Sequence, residues 1–242
     1  MIILPAIDLY NGEVVRLTRG DYARMTVYSA DPVAIAHGFR DAGAAYMHVV
    51  DLEGARSGEP AQFASIRRIA MESGLDVEVG GGIRSEITIT RYLAAGVKRV
   101  ILGTAAATKP GFVRSMTRMY GDAIAVGVDI KEGRVAIKGW TELAERDALE
   151  LCEEIEGAGV QTLICTDISK DGMLGGANIE LYRTMRGNLS INLVASGGVS
   201  SIGEIKALSD LGMDGAIIGK ALYTGELDLA EAVRAGQGIA DS

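Results

Sequence analysis

Val79-Gly80-Gly81-Gly82-Ile83-Arg84-Ser85 recurs 116 residues later as Ala195-Ser196-Gly197-Gly198-Val199-Ser200-Ser201. Ile101-Leu102-Gly103-Thr104-Ala105 returns at the same offset as Ile217-Ile218-Gly219-Lys220-Ala221, and Gly43 to Asp51 falls on Gly159 to Asp167. Ala6-Ile7-Asp8 aligns with Gly127-Val128-Asp129 after a short slip that a loop absorbs. Each half therefore carries one aspartate behind an apolar run and two glycine-rich loops. That is the pattern of a two-fold receptacle: two anion-binding ends with reactive groups between them.

Working outward, eight short apolar runs alternate with helix-period segments. The runs are Ile2–Ile7, Tyr46–Val50, Val77–Val79, Arg99–Leu102, Ala123–Val128, Thr162–Cys165, Asn192–Ala195 and Gly215–Ile218. They are brief, β-branched and apolar on both faces, as parallel strands covered on both sides must be. Amphipathic stretches lie between them, among them Asp31–Ala42, Ala61–Ser73, Ser85–Ala95, Arg146–Gly157 and Ser200–Leu211. Ser85 and Ser200 are placed as helix N-caps, and Gly43, Gly74, Gly96, Gly159 and Gly212 as left-handed C-terminal stops. Eight strand–helix units without an interposed linker predict one (β/α)8 TIM barrel over residues 1–242, with half-barrels at about 1–121 and 122–242. An open doubly wound sheet is the competing architecture; it offers fewer equivalent units and no division into equal halves.

Two strand-to-helix connections are long. Asn11-Gly12 after Asp8 and Glu132-Gly133 after Asp129 each separate apolar runs and predict a hairpin at the C-terminal face, where barrel active sites lie. The composition narrows the partners. The formal charge of −8 and the low aromatic content of 5% argue against nucleic acid and anionic membrane surfaces. No apolar run reaches about 18 residues, so no membrane span is predicted, and no signal peptide is expected. Cys152 and Cys165 form no CxxC pair and read as buried free thiols suited to a reducing cytoplasm. Two separated histidines give no metal-ligating cluster. The dinucleotide, P-loop and hydrolase-elbow signatures are all missing.

Asp8 and Asp129 sit at corresponding places on strands one and five, opposite each other in a ring of eight. Two such carboxylates can act as base and acid on one substrate. Asp51 and Asp167 form a second symmetric pair, read equally as loop anchors or as groups contacting substrate. His48 reaches the barrel mouth or is a hydrogen-bonded core histidine. Gly81, Gly82, Gly103 and Thr104 would build one phosphate cradle, and Gly197, Gly198, Gly219 and Lys220 the other. Glycine admits backbone N–H groups close to a phosphate, and a following helix N-terminus favours the charge. The alternative is a pair of structural turns. Arg16 reads as a group pairing with a carboxylate or phosphate, or as a solvated surface arginine; Arg84 is a candidate substrate- or phosphate-binding residue. Trp140, the only tryptophan, stacks on a planar ligand or packs at an edge.

Taken together, these residues resemble the ProFAR isomerase family of histidine biosynthesis. The resemblance runs through Pro5-Ala6-Ile7-Asp8, Gly12-Glu13-Val14-Val15-Arg16-Leu17, His48-Val49-Val50-Asp51, Gly80-Gly81-Gly82-Ile83-Arg84, Gly139-Trp140, Thr166-Asp167, Lys170-Asp171-Gly172 and Ser196-Gly197-Gly198 to Gly219-Lys220-Ala221-Leu222-Tyr223. It implies a duplicated half-barrel, an Amadori rearrangement of a bisphosphorylated small molecule, and no cofactor. Asp8 matches the family's base and Asp129 its acid; Thr166 lies near the reacting ribose, and Asp171 and Arg16 belong to loops that close over substrate. Met173 and Ala177 replace the more common Thr and Pro. The related cyclase begins with a Cys-Leu-Asp-Val-like strand where this chain has Ala6-Ile7-Asp8-Leu9. The expected partner is thus a small molecule, with neither nucleic acid nor membrane, and the expected state is a cytoplasmic monomer. Competing readings are a dual isomerase that also takes phosphoribosylanthranilate, and a non-catalytic phosphosugar-binding barrel.

Overall fold

The computed structural model describes residues 1–18, 20–137, 139, 140 and 142–239. Eight parallel strands form a closed ring: β1 (Ile2–Tyr10), β2 (Tyr46–Asp51), β3 (Asp76–Gly80), β4 (Arg99–Leu102), β5 (Ile124–Lys131), β6 (Thr162–Asp167), β7 (Asn192–Ser196) and β8 (Gly215–Ile218). Ile2 to Pro5 of β1 pair with Gly215 to Ile218 of β8, which shuts the ring and excludes the open sheet. A helix follows each strand: α1 (Pro32–Asp41), α2 (Phe63–Glu72), α3 (Glu86–Ala94), α4 (Pro110–Tyr120), α5 (Ala148–Gly157), α6 (Ile179–Asn188), α7 (Ile202–Asp210) and α8 (Leu229–Gly236).

Alternation along the strands divides the apolar residues between two layers. Leu4, Ala6, Ile101, Ala125, Ile164, Val194 and Ile217 point inward and fill the barrel. Ile3, Ile7, Met47, Val49, Val77 and Val100 point outward against Ile66, Ile69, Ile89, Leu151 and Ile205 of the helices. Every one of those outward contacts is buried, and removing one such side chain down to alanine costs about 2–5 kcal/mol.

Local chemistry sets the helix ends. Asp31 accepts from the backbone of Val33 and Ala34 ahead of α1, and Ser85 accepts from Thr88 ahead of α3. The cap of α7 is Ser201, bonded to the Glu204 N–H, and not Ser200. Ser200 instead donates its own N–H to the Glu204 carboxylate at 2.8 Å, so the two serines share the turn. The 116-residue offset already pairs Ser85 with Ser201. The five predicted glycine stops all take the left-handed conformation, with φ between 76° and 95°.

β1 and β5 do not end at Asp8 and Asp129. Each runs two residues further because a hairpin partner, Glu13–Thr18 or Arg134–Ile137, pairs on it. Both turns carry positive φ at their two central residues, Asn11 and Gly12 (51° and 79°), Glu132 and Gly133 (52° and 76°). Each excursion adds one more antiparallel strand, Asp21–Ser29 and Glu142–Asp147. Both strands are largely exposed; Ala23 to Val27 alternates apolar and polar residues, whereas Glu142–Asp147 carries no such pattern. Lys138, within the second predicted hairpin segment, lies outside the described residues. The excursions meet over the mouth: a Cβ on Gly20 would stand 2.7 Å from the Trp140 ring.

Candidate active site

Asp8 and Asp129 reach the same space from strands four places apart in the ring. A cavity of ≈290 Å³ opens between them at the C-terminal end of the barrel. Arg16, His48, Gly81, Gly82, Arg84, Gly103, Thr104, Trp140, Thr166, Asp171, Gly197, Gly198, Gly219 and Lys220 line it with the two aspartates. Its floor is apolar: Ala6, Ile101, Ile164 and Ile217.

The two carboxylates stand in unlike surroundings. Asp8 accepts from Arg16 Nη1 at 2.9 Å. Arg16 is therefore no solvated surface arginine. Its Nη2 donates to the Ala6 carbonyl at 2.7 Å, its guanidinium lies 5.4 Å from the Tyr223 ring centre, and its buried Nε meets no partner among the described residues. Among the described residues no guanidinium pairs with Asp129. Burial pushes its carboxyl up to about 6, Asp171 pushes the same way, and bonds from Trp140 and Thr166, with the field of His48, oppose the rise. Trp140 Nε1 donates to Asp129 Oδ2 at 2.8 Å. It does so from a left-handed backbone, φ 72°. A bulky residue in that conformation stores on the order of 1–3 kcal/mol, held here by the indole's bond and its contact with Gly20. Asp171 is also raised, first by burial and then by Asp8, against the pull of Arg16.

The second aspartate pair resolves as loop anchors. Asp51 accepts the N–H groups of Gly54 (2.7 Å) and Gln62 (2.8 Å) and is fully buried. Asp167 accepts from Ser169 and from Asn178 Nδ2 (2.6 Å). His48 satisfies both of its readings: Nδ1 meets Glu78 Oε1 at 2.6 Å while the ring lines the cavity. Arg84 lines the cavity and leans on the loop after β2, its Nη2 3.4 Å from the Ala55 carbonyl oxygen.

The glycine loops occupy opposite rims, after β3 and β4 on one side and after β7 and β8 on the other. Packing alone requires glycine in the Gly-Gly pairs. Gly81, Gly82, Gly197 and Gly198 have φ of 112°, 72°, 96° and 86°. A Cβ on Gly81 or Gly82 would overlap the carbonyl of Asp51 or Gly54, and one on Gly197 or Gly198 that of Asp167 or Gly176. Gly219 is confined by the Arg16 guanidinium. Gly103 is different. A Cβ there would meet nothing within 4 Å, so the protein's own packing leaves that side of the rim free. On the opposite rim Lys220 Nζ donates to the Gly172 carbonyl at 3.0 Å, tying the loop after β6 to β8.

No sequence pattern assigns a role to Tyr223, Tyr22 or Ser196. Tyr223 donates to the Ala6 carbonyl at 2.9 Å beside Arg16. Its position comes from packing on Tyr28 and Phe39, contacts remote in sequence, so no local pattern marks it. Tyr22 lines the cavity from the first excursion, its hydroxyl on the Leu52 carbonyl at 2.8 Å. Ser196 lines it beside the second Gly-Gly loop, and only the repeat offset to Gly80 points there.

Comparison with known proteins gives the family. A family model described as histidine biosynthesis protein matches residues 2–228. Proteins named 1-(5-phosphoribosyl)-5-((5-phosphoribosylamino)methylideneamino) imidazole-4-carboxamide isomerase are similar over nearly the whole chain. The one from Brachyspira hyodysenteriae is 47% identical, covering 96% of this chain and 98% of the relative. That of Dehalococcoides mccartyi is 48% identical over 96% and 98%, and that of Listeria monocytogenes 45% over 98% and 99%. Over this length such identity leaves one conclusion: the chain belongs to the histidine biosynthesis protein family.

Proposed function

We propose that this protein isomerises ProFAR, turning its aminoaldose into the aminoketose by an Amadori rearrangement. The observation that carries the reading is the pair of carboxylates on opposite walls of one cavity, one ion-paired and the other raised to about 6. Asp129, in its acid form, gives its proton to the furanose ring oxygen. The C1′–O bond breaks as the amine nitrogen's pair forms C1′=N. Asp8, as carboxylate, then removes the C2′ proton; that C–H pair becomes C1′=C2′ and the C=N pair returns to nitrogen. The enolamine gives up its C2′ hydroxyl proton and gains one at C1′ to become the ketose. Atoms and electrons balance between the substrate and the two carboxyls, so the reaction calls for no cofactor.

The rims would hold the two phosphates, Gly81, Gly82, Gly103 and Thr104 at one end, Gly197, Gly198, Gly219 and Lys220 at the other. That fixes the ribose between base and acid, where correct placement converts a slow encounter into a unimolecular step. Trp140 would lie against the heterocycle, and Arg16, Asp171, Thr166, His48 and Arg84 would complete the wall. The reading includes half-barrels 1–121 and 122–242, supported by the repeat. It includes a monomer, supported by a cavity whose lining one chain supplies, and a cytoplasmic location, supported by the free, buried Cys152 and Cys165.

The test is turnover of purified protein on ProFAR, with phosphoribosylanthranilate offered separately. Asp8→Asn and Asp129→Asn should each lose at least about 10²-fold in kcat while remaining folded, with a cooperative thermal transition. Parent-like turnover in both variants refutes the assignment, and turnover of phosphoribosylanthranilate widens the substrate range.

A further inference from the structure

His48, Glu78 and Arg99 are register neighbours on β2, β3 and β4, all pointing into the barrel. Glu78 is fully buried. Its Oε1 meets His48 Nδ1 at 2.6 Å, and its Oε2 accepts from Arg99 Nε at 2.9 Å. Arg99 continues the chain to Thr162 Oγ1 on β6 at 3.2 Å and lies 5.1 Å from the Tyr46 ring centre. Nothing in the fold demands this polar chain. At the 116-residue offset the equivalents of His48, Glu78 and Arg99 are Ile164, Val194 and Gly215, and that side of the barrel interior is apolar. Burying a carboxylate, an imidazole and a guanidinium where the other half uses aliphatic and small residues costs stability unless the chain does something else.

We infer that Glu78 is a positioning residue of the isomerisation, acting through His48. The inference rests on the proposed reaction. Burial works against the Glu78 carboxylate, but the bonds from His48 and Arg99 outweigh it and hold the group below the usual carboxylate range. An ionised carboxylate only accepts, so the hydrogen between the two side chains belongs to His48 Nδ1. The ring is thereby fixed in one orientation, with its Nδ1 hydrogen on Glu78 and Nε2 on its cavity side. Among the described residues Nε2 meets no hydrogen-bond partner. The charges facing His48 across the cavity are Asp129 and Asp171, both of which feel its field. His48 held in this way presents its Nε2, at a fixed place, to a ribose hydroxyl lying between Asp8 and Asp129. Substrate enters with one orientation only, and the break in two-fold symmetry supplies a group that distinguishes the ends.

Two measurements test this. The chain has two histidines, so ¹⁵N-histidine spectra of the ligand-free protein, compared with a His37→Gln variant, assign His48 directly. The expected result is a protonated, hydrogen-bonded Nδ1 in the parent, and loss of that state in Glu78→Gln, whose amide also donates. An unprotonated Nδ1 in the parent overturns the proposal whatever the substrate. The second measurement is a double-mutant cycle on turnover. Glu78→Gln should lower kcat about tenfold in the parent and scarcely at all in a His48→Asn background, as expected within one hydrogen-bond network. KM should stay within about twofold, since both phosphate rims are intact. Equal losses in both backgrounds, or full kcat in Glu78→Gln, overturn it. If Glu78→Gln does not fold, the parent spectrum still decides. A parent that turns over no ribotide refutes the proposed reaction and leaves the spectroscopic result standing.

Discussion

Trp140→Phe separates the two influences that set the proton affinity of Asp129. Burial is the larger and raises it; the indole N–H, 2.8 Å from Oδ2, lowers it. Phenylalanine keeps most of the ring bulk, so the carboxyl stays shielded and only the donor is lost. A hydrogen bond to a charged group contributes about 1.5–3 kcal/mol, and about 1.4 kcal/mol corresponds to one pH unit. The Asp129 titration should therefore move from about 6 upward by about 1–2 units. Because the proposed acid must be protonated, the alkaline limb of kcat/KM in the free enzyme should move up by the same amount. The absolute rate falls, since the indole also lines the cavity, but the limb position reports the acid alone. The assay is initial rate at subsaturating ProFAR from pH 5 to 9. A limb that stays in place, or moves down, refutes the assignment of Asp129 as the acid or the account of what shifts it.

Three further outcomes follow from the same structure. The Asp129 carboxyl is raised from 3.8 to about 6, so its favourable contribution to folding is fully present below about 3.8 and is lost as pH rises through 6. Asp129→Asn removes this liability and should be more stable than the parent at pH 8, by at most about 3 kcal/mol in denaturant titration; equal or lower stability contradicts the raised value. Gly82→Ala should destabilise the fold by several degrees in thermal melts, because its φ of 72° and the Gly54 carbonyl leave no place for Cβ. Gly103→Ala, with open space at the same rim, should destabilise less than Gly82→Ala and raise KM for the phosphorylated substrate; an unchanged KM argues against a phosphate beside Gly103.

Residues read singly gave the strand order and the walls of the cavity. Short runs apolar on both faces predict buried parallel strands, and Asp8 and Asp129 follow such runs at matching places. What they left open was decided by contacts between segments far apart. By sequence Asp51 and Asp167 fit a loop anchor or a ligand equally; the N–H groups of Gly54 and Gln62, and the side chains of Ser169 and Asn178, occupy them. Ser201 rather than Ser200 caps α7 because the turn geometry points one hydroxyl at the Glu204 N–H, a distinction of one residue that composition does not resolve. Glu142–Asp147 carries no apolar alternation that marks it as a strand, and the alternating Ala23 to Val27 of Asp21–Ser29 lie on an exposed strand outside the eight-unit pattern.

The opening repeat by itself determined the architecture: eight strand–helix units in two like halves, glycine loops at matching positions, one aspartate in each half. Those follow from periodicity and from backbone conformations that only glycine adopts freely. The tertiary structure alone decided what the residues that differ between the halves touch. Arg16 reaches from an excursion back to Asp8, Trp140 descends from another onto Asp129, and the His48–Glu78–Arg99 chain lies inside one half of the barrel only. Burial and pairing of ionisable groups depend on what surrounds them in space, and ring closure brings together neighbours that no local stretch contains.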